Sequence, residues 1–142
     1  MFRRREDDLQ VLLAHLGGPF FAGKDLNAWG VPKGLVEEGE EPLAAACREF
    51  EEETGAKPRG PYLPLGFVKQ KSGKVVHAWA AEGDFDPAKL KSNTFELEWP
   101  KGSGTMKTFP EVDRVEWLTA NAAKGKIISA QADFLDRLSQ LL

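Results

Sequence analysis

Three glutamates in the first half of the chain, Glu49, Glu52 and Glu53, stand at i, i+3 and i+4. On a helix that spacing brings three carboxylates together on one side. Like charges so close repel, and a fold gains no stability from them. A divalent cation held by oxygen ligands would relieve the repulsion, and such a cation also lowers the pKa of a bound water and polarises phosphate oxygens. Glu51 falls well away from the other three at 100° per residue. Arg48 lies four residues before Glu52, within reach of an ion pair. The bland alternative is a solvated acidic helix face, the usual explanation of a charge run.

The elements that must position these side chains can be read around them. Pro42 suits the first turn of a helix, where its missing N–H costs nothing, and Gly55 suits its end. The spacing therefore predicts a helix over Pro42–Thr54, with Leu43, Ala46, Cys47, Phe50 and Thr54 as its core face. An acidic loop, Glu37–Glu41, precedes it. Upstream, Leu9–His15 (LQVLLAH) reads as a buried strand that follows a turn at Asp7-Asp8 and ends at Gly17-Gly18-Pro19. Phe20–Ala22 is a short strand or a loop anchor, Lys24-Asp25 a turn, and a short strand is expected near Trp29. Downstream, Leu65–Gln70 and Val75–Ala81 flank Lys71–Lys74 as a hairpin, with Val75, His77, Trp79 and Ala81 on one face of its second strand. Asp86-Pro87 opens a short helix or turn. Phe95–Trp99 (FELEW) alternates like a half-exposed strand, Pro100–Thr108 reads as a flexible basic loop, and Val112–Leu118 returns to strand character. A last helix is expected over Ala130–Leu141, with Ser129 as its N-cap. Strand, helix, several strands and helix make an α/β or α+β sandwich.

Composition narrows the function classes. The 142 residues fit one domain, 1–142, with a single sizeable core. A net charge of −3 gives no global positive field for nucleic acid. The single cysteine, Cys47, excludes an internal disulfide and fits a reducing, cytoplasmic setting. No apolar run nears the roughly 18 residues that cross a bilayer, and the charged start, MFRRRED, lacks the apolar core of a signal peptide. No membrane association and no obligate protein partner are evident.

The stretch Gly34–Ala56, GLVEEGEEPLAAACREFEEETGA, resembles the Nudix box, Gly-x5-Glu-x7-Arg-Glu-U-x-Glu-Glu-x-Gly-U with U a bulky aliphatic residue. Gly34, Glu40, Arg48, Glu49, Glu52, Glu53 and Gly55 match its fixed positions. Phe50 and Ala56 depart from it at the two U positions. A solvated acidic face does not require these residues at set distances. The resemblance implies an α/β/α sandwich around a central mixed β-sheet. It also implies hydrolysis of a nucleoside diphosphate linked to another moiety, with Mg2+ or Mn2+ as cofactor. Glu49, Glu52, Glu53 and the Gly34 carbonyl are then implied as metal ligands, with Glu40, Arg48 and Gly55 structural. Glu52 or Glu53, and after them Glu49, are the candidates for the general base.

Flanking residues tilt the substrate. Trp29–Gly34 (WGVPKG) resembles the entry to the box in dinucleoside polyphosphate hydrolases of this family, which makes Lys33 a candidate phosphate ligand; an exposed turn lysine is the alternative. Phe109–Leu118 (FPEVDRVEWL) resembles the segment that supplies a further metal ligand in RNA 5′-pyrophosphohydrolases and diadenosine tetraphosphate hydrolases, here Glu111; a solvated strand-end glutamate is the alternative. Phe95 and Trp99 would stack on a base or merely pack a hairpin. His77 reads as a packed strand histidine, and Lys69, Lys71, Lys74, Lys101 and Lys107 as solubilising residues. A small-molecule nucleotide such as diadenosine tetraphosphate is favoured. The competing readings are a nucleoside triphosphate, a nucleotide sugar or an RNA 5′ end, RNA being disfavoured for want of a basic track, and a noncatalytic nucleotide-binding module. The family's first strand normally precedes a segment like Phe2–Arg4. Phe2–Arg5 is therefore expected to pair at a sheet position with an incomplete neighbour, the first strand being very short or the chain start lying upstream.

Overall fold

A computed structural model describes residues 1–32 and 38–142. Lys33 and Gly34 lie outside the described residues.

The strand at the centre is β2 (Asp8–Leu16). Its unbroken apolar run is explained by burial on both faces. Val11 and Leu13 point into one core cluster, while Leu12 and Ala14 point into another. β2 pairs antiparallel with β1 (Phe2–Arg5), with β3 (Trp29–Gly30) and, from Gln10 to Leu16, with β8 (Val112–Thr119). The turn between β1 and β2 sits at Glu6-Asp7, one residue before the expected Asp7-Asp8, because Glu6 and Asp7 both take positive φ. Two antiparallel hairpins complete the strands: β4 (Leu63–Lys69) with β5 (Val75–Ala80), and β6 (Thr94–Glu98) with β7 (Met106–Pro110). Parallel pairing enters through two bridges, Phe2 with Glu82 and Trp29 with Ile127.

Helix α1 (Pro42–Thr54) covers one face of β2 through Phe50. Helices α2 (Ala120–Lys126) and α3 (Ala132–Leu141) cover the other through Ala123, Phe134, Leu135 and Leu138. The result is helix on both sides of strands, α+β in content, as the sequence implied. α1 has the expected bounds, Pro42 standing in its first turn and Gly55 ending it in the left-handed region. Its burial departs from expectation. Phe50 and Thr54 are buried, as is Ala45, but Leu43, Ala46 and Cys47 are only half-buried, since they border an apolar cavity of about 100 Å3 together with Phe50 and Tyr62.

Three further expectations are corrected. The basic loop is shorter than Pro100–Thr108, because Met106–Pro110 pairs with β6 as a strand. Ser129 does not cap the last helix; it opens a 3-10 turn, Ser129–Gln131, and α3 starts at Ala132. α2 was not expected; its Thr119 side chain accepts from the Ala122 N–H at 3.2 Å and caps it. On β5 the face with Val75 and His77 is largely exposed, while Val76, Ala78 and Ala80 are buried.

Gly55 holds φ +87°, and a Cβ there would meet the Lys91 side chain at 3.0 Å. Gly55→Ala is therefore expected to destabilise the protein by about 1–2 kcal/mol in urea unfolding, with an unchanged m-value.

Candidate active site

α1 presents Glu49 and Glu53 inward, and both are buried. A charge is removed from water only where something compensates for it. Part of the compensation is Arg48. Its Nε and Nη2 donate to the two carboxylate oxygens of Glu40 at 2.8 and 3.0 Å, a bidentate pair. Its Nη1 donates to Glu49 Oε1 at 2.8 Å and to Glu52 Oε2 at 3.1 Å. Among the described residues one guanidinium therefore serves three carboxylates, which hold its pKa above the usual arginine range, Glu40 most strongly. The expected Arg48–Glu52 pair is present, and Glu40 anchors the stretch before α1 to the helix.

The third carboxylate of the cluster comes from far along the chain. The last turn of α1 leaves backbone carbonyls open. Lys91 N–H donates to the Thr54 carbonyl at 3.0 Å and Asn93 N–H to the Glu52 carbonyl at 2.8 Å. The Asn93 carbonyl then accepts the Glu111 N–H at 2.8 Å. This backbone relay sets Glu111 against the helix. Ligand oxygens of Glu49, Glu53 and Glu111 lie within 4.8 Å of one another. Three carboxylates at that separation form an oxygen-only donor set, which fits Mg2+ or Mn2+ and not a softer metal. Burial, and then the charges of Glu49 and Glu52, push the Glu111 carboxyl above the ordinary glutamate range. Glu52 is thus close enough to act on Glu111 electrostatically. Its own side chain is 37% exposed and stands beside the group rather than in it. Glu51 takes no part in these contacts; its backbone carbonyl accepts the Gly55 N–H.

Several residues that frame this site were not singled out in the sequence. Gly17 N–H donates to the Glu111 carbonyl at 2.9 Å. A side chain at Gly17 would collide with the Pro110 carbonyl oxygen, so the loop can leave β2 here only as glycine. His15 is fully buried, with Nδ1 2.7 Å from Asp113 Oδ1 and Nε2 2.7 Å from the Lys24 carbonyl oxygen. It ties the loop after β2 to the strand that follows Glu111. Gln131, also fully buried, accepts the Val31 N–H at 3.0 Å and donates to Gln70 Oε1 at 3.2 Å. That contact fixes the chain just ahead of the undescribed stretch. Paired polar groups on opposite sides of long loops leave no pattern in a linear sequence, whereas a glycine pair after a strand is at least a visible mark.

A raised carboxyl pKa in the folded state means that stability is present below the ordinary glutamate value and is lost as pH rises through the raised one. Glu111→Gln removes this loss. We expect the metal-free variant to melt a few degrees above the wild type at neutral pH. Mg2+ should raise the wild-type melting temperature and raise that of the variant less.

Comparison with known proteins gives the family and the fold. The NUDIX domain profile matches residues 1–138. The chain is 46% identical over 52 residues to an RNA pyrophosphohydrolase of Roseobacter denitrificans, covering 34% of this chain and 32% of that protein. It is 38% identical over 72 residues to the asymmetrical bis(5'-nucleosyl)-tetraphosphatase of Rattus norvegicus, covering 46% of this chain and 49% of that one. It thus spans less than half the length of either relative. The NUDIX domain of Shewanella oneidensis NrtR, solved with ADP ribose, superposes with a TM-score of 0.63 at 19% identity, over 99% of this chain and 82% of that one. With the profile covering nearly the whole chain and the fold in agreement, this protein belongs to the Nudix hydrolase family.

Proposed function

We propose that the chain, acting as one domain over residues 1–142, hydrolyses a pyrophosphate linkage in a nucleoside diphosphate joined to another moiety. The observation that carries this reading is the convergence of Glu49, Glu53 and Glu111. A bound Mg2+ or Mn2+ would supply charge neutralisation of the phosphates and an acidified water. The placement of the protein's own groups supports the following roles. Glu49, Glu53 and Glu111 hold the cation. Glu52, or the Gly34 carbonyl read from the sequence, adds a further ligand. Glu52 Oε2 is engaged by Arg48, so a proton leaving the attacking water would pass to Glu52 Oε1 or to Glu53. Arg48 and Glu40 keep the carboxylates in place.

The favoured substrate is a dinucleoside polyphosphate such as diadenosine tetraphosphate. Supporting it are the WGVPKG entry, whose Lys33 is the phosphate ligand proposed from the sequence, and the likeness to the rat tetraphosphatase. The likeness to the Roseobacter enzyme favours a second reading, an RNA 5′ end; the net charge of −3 weighs against a long RNA track. The lone Cys47, unpaired with any other cysteine, accords with action in the cytoplasm. Among the described residues no helix is long and apolar enough to cross a membrane.

A panel of diadenosine tetraphosphate, nucleoside triphosphates, a nucleotide sugar and triphosphorylated RNA, each with Mg2+, ranks these substrates; diadenosine tetraphosphate is expected to give the highest kcat/KM. No turnover of any of them with either metal would instead mark a binding module. Glu49→Gln, Glu52→Gln and Glu53→Gln should each lower kcat/KM by about a hundredfold or more, while Glu51→Gln stays within about twofold of wild type. Near-normal turnover in both Glu52→Gln and Glu53→Gln would refute the assignment.

A further inference from the structure

Two adjacent phenylalanines in the loop after β2 behave in opposite ways. Phe21 packs against the main core cluster. Phe20 is 60% exposed. A phenylalanine left that far in water returns little hydrophobic stabilisation. Phe20 is nonetheless placed: its ring meets the Trp99 indole edge-on, with centroids 5.4 Å apart at 79°.

Trp99 is itself held by backbone. It closes the β6–β7 hairpin by donating its N–H to the Thr105 carbonyl at 3.0 Å, and the turn beyond is pinned by the Gly102 N–H on Glu98 Oε1 at 2.6 Å. The indole N–H of Trp29 is taken by Asp25 and that of Trp117 by the Phe85 carbonyl. The Trp99 indole N–H has no acceptor among the described residues. Below the pair, Gly18 lies directly on the Phe95 ring: a Cβ there would come within 2.9 Å of Phe95 Cζ. Phe95 therefore serves as packing, supporting the loop that carries Phe20.

The pair is tied to the carboxylates. Phe20 is three residues from Gly17, so at most about 11 Å separates their Cα atoms, and Gly17 is hydrogen-bonded to the backbone of Glu111. That span suits a base separated from the cation by a ribose and a short run of phosphates.

We propose that Phe20 and Trp99 form the stacking site for the nucleobase of the nucleotide substrate, the Trp99 indole N–H being available to a ring nitrogen or carbonyl of the base. This rests on the proposed function for the identity of the ligand as a nucleotide. Stacking is tolerant of base identity, so the site favours a purine by ring area more than by hydrogen-bond pattern.

The test follows the Trp99 indole resonance by 1H–15N NMR in the intact protein, assigned with Trp99→Phe. Adenosine 5′-monophosphate is titrated with chelator present, and inorganic phosphate serves as the control. A saturable Trp99 shift with the nucleotide, absent with phosphate, is expected. Phe20→Leu, an exposed change that leaves the core intact, should weaken that binding roughly tenfold and raise KM for diadenosine tetraphosphate with kcat unchanged. A Trp99 resonance that does not move at millimolar nucleotide, in protein that does hydrolyse the tetraphosphate, overturns the stacking site and leaves the hydrolase reading intact. A saturable shift in protein that turns over no substrate supports the stacking site while the hydrolase reading fails.

Discussion

One guanidinium makes the arrangement possible. α1 carries carboxylates at 49, 52 and 53, a spacing that repels itself on any helix. Arg48 grows from the same helix and meets two of them, Glu49 and Glu52, while its bidentate grip on Glu40 draws in the chain that leads to the helix. Arginine suits this position because its planar fork presents fixed donors to several carboxylates at once. A lysine there would offer a single rotating charge. The grouping of the carboxylates on α1 and the position of Glu40 thus rest on a single side chain, and Glu53 and Glu49 stand beside Glu111.

The other half of the cluster is secured without side chains. The open carbonyls at the end of α1 are taken by the N–H groups of Lys91 and Asn93, and Asn93 in turn takes the N–H of Glu111. The helix therefore ends on the segment that delivers the distant glutamate, and satisfying its terminus and building the cluster are one event. β2 supplies the rigid floor. Buried on both faces and paired along both edges, it holds α1 on one side and α2 and α3 on the other.

What could be read from the sequence was what physical punctuation marks. Pro42 and Gly55 bracket α1 at its observed ends, and the apolar run of β2 and the hairpin at Lys71–Lys74 stand where expected. Glu111 was reached by resemblance, but its attachment through Asn93 was not legible, since a backbone-to-backbone contact between distant segments carries no residue code. α2, with the sequence ANAAKGK, has no apolar stripe and buries only Ala123, so periodicity had nothing to report. Met106–Thr108 looked like loop because it is polar and carries no alternation; it is part of a strand, Met106–Pro110, by virtue of its partner β6. The half-buried Leu43, Ala46 and Cys47 show the converse: helical periodicity names a face, and only the shape of what lies opposite decides how tightly that face is covered.

Gly17 has an evolutionary consequence. Because any side chain at this position would displace the Pro110 carbonyl, the loop after β2 and the strand end bearing Glu111 cannot drift independently. A replacement of Gly17 would have to be accompanied by a new path for the whole loop. The loop after β2 and the distal glutamate thus behave as one mechanical unit.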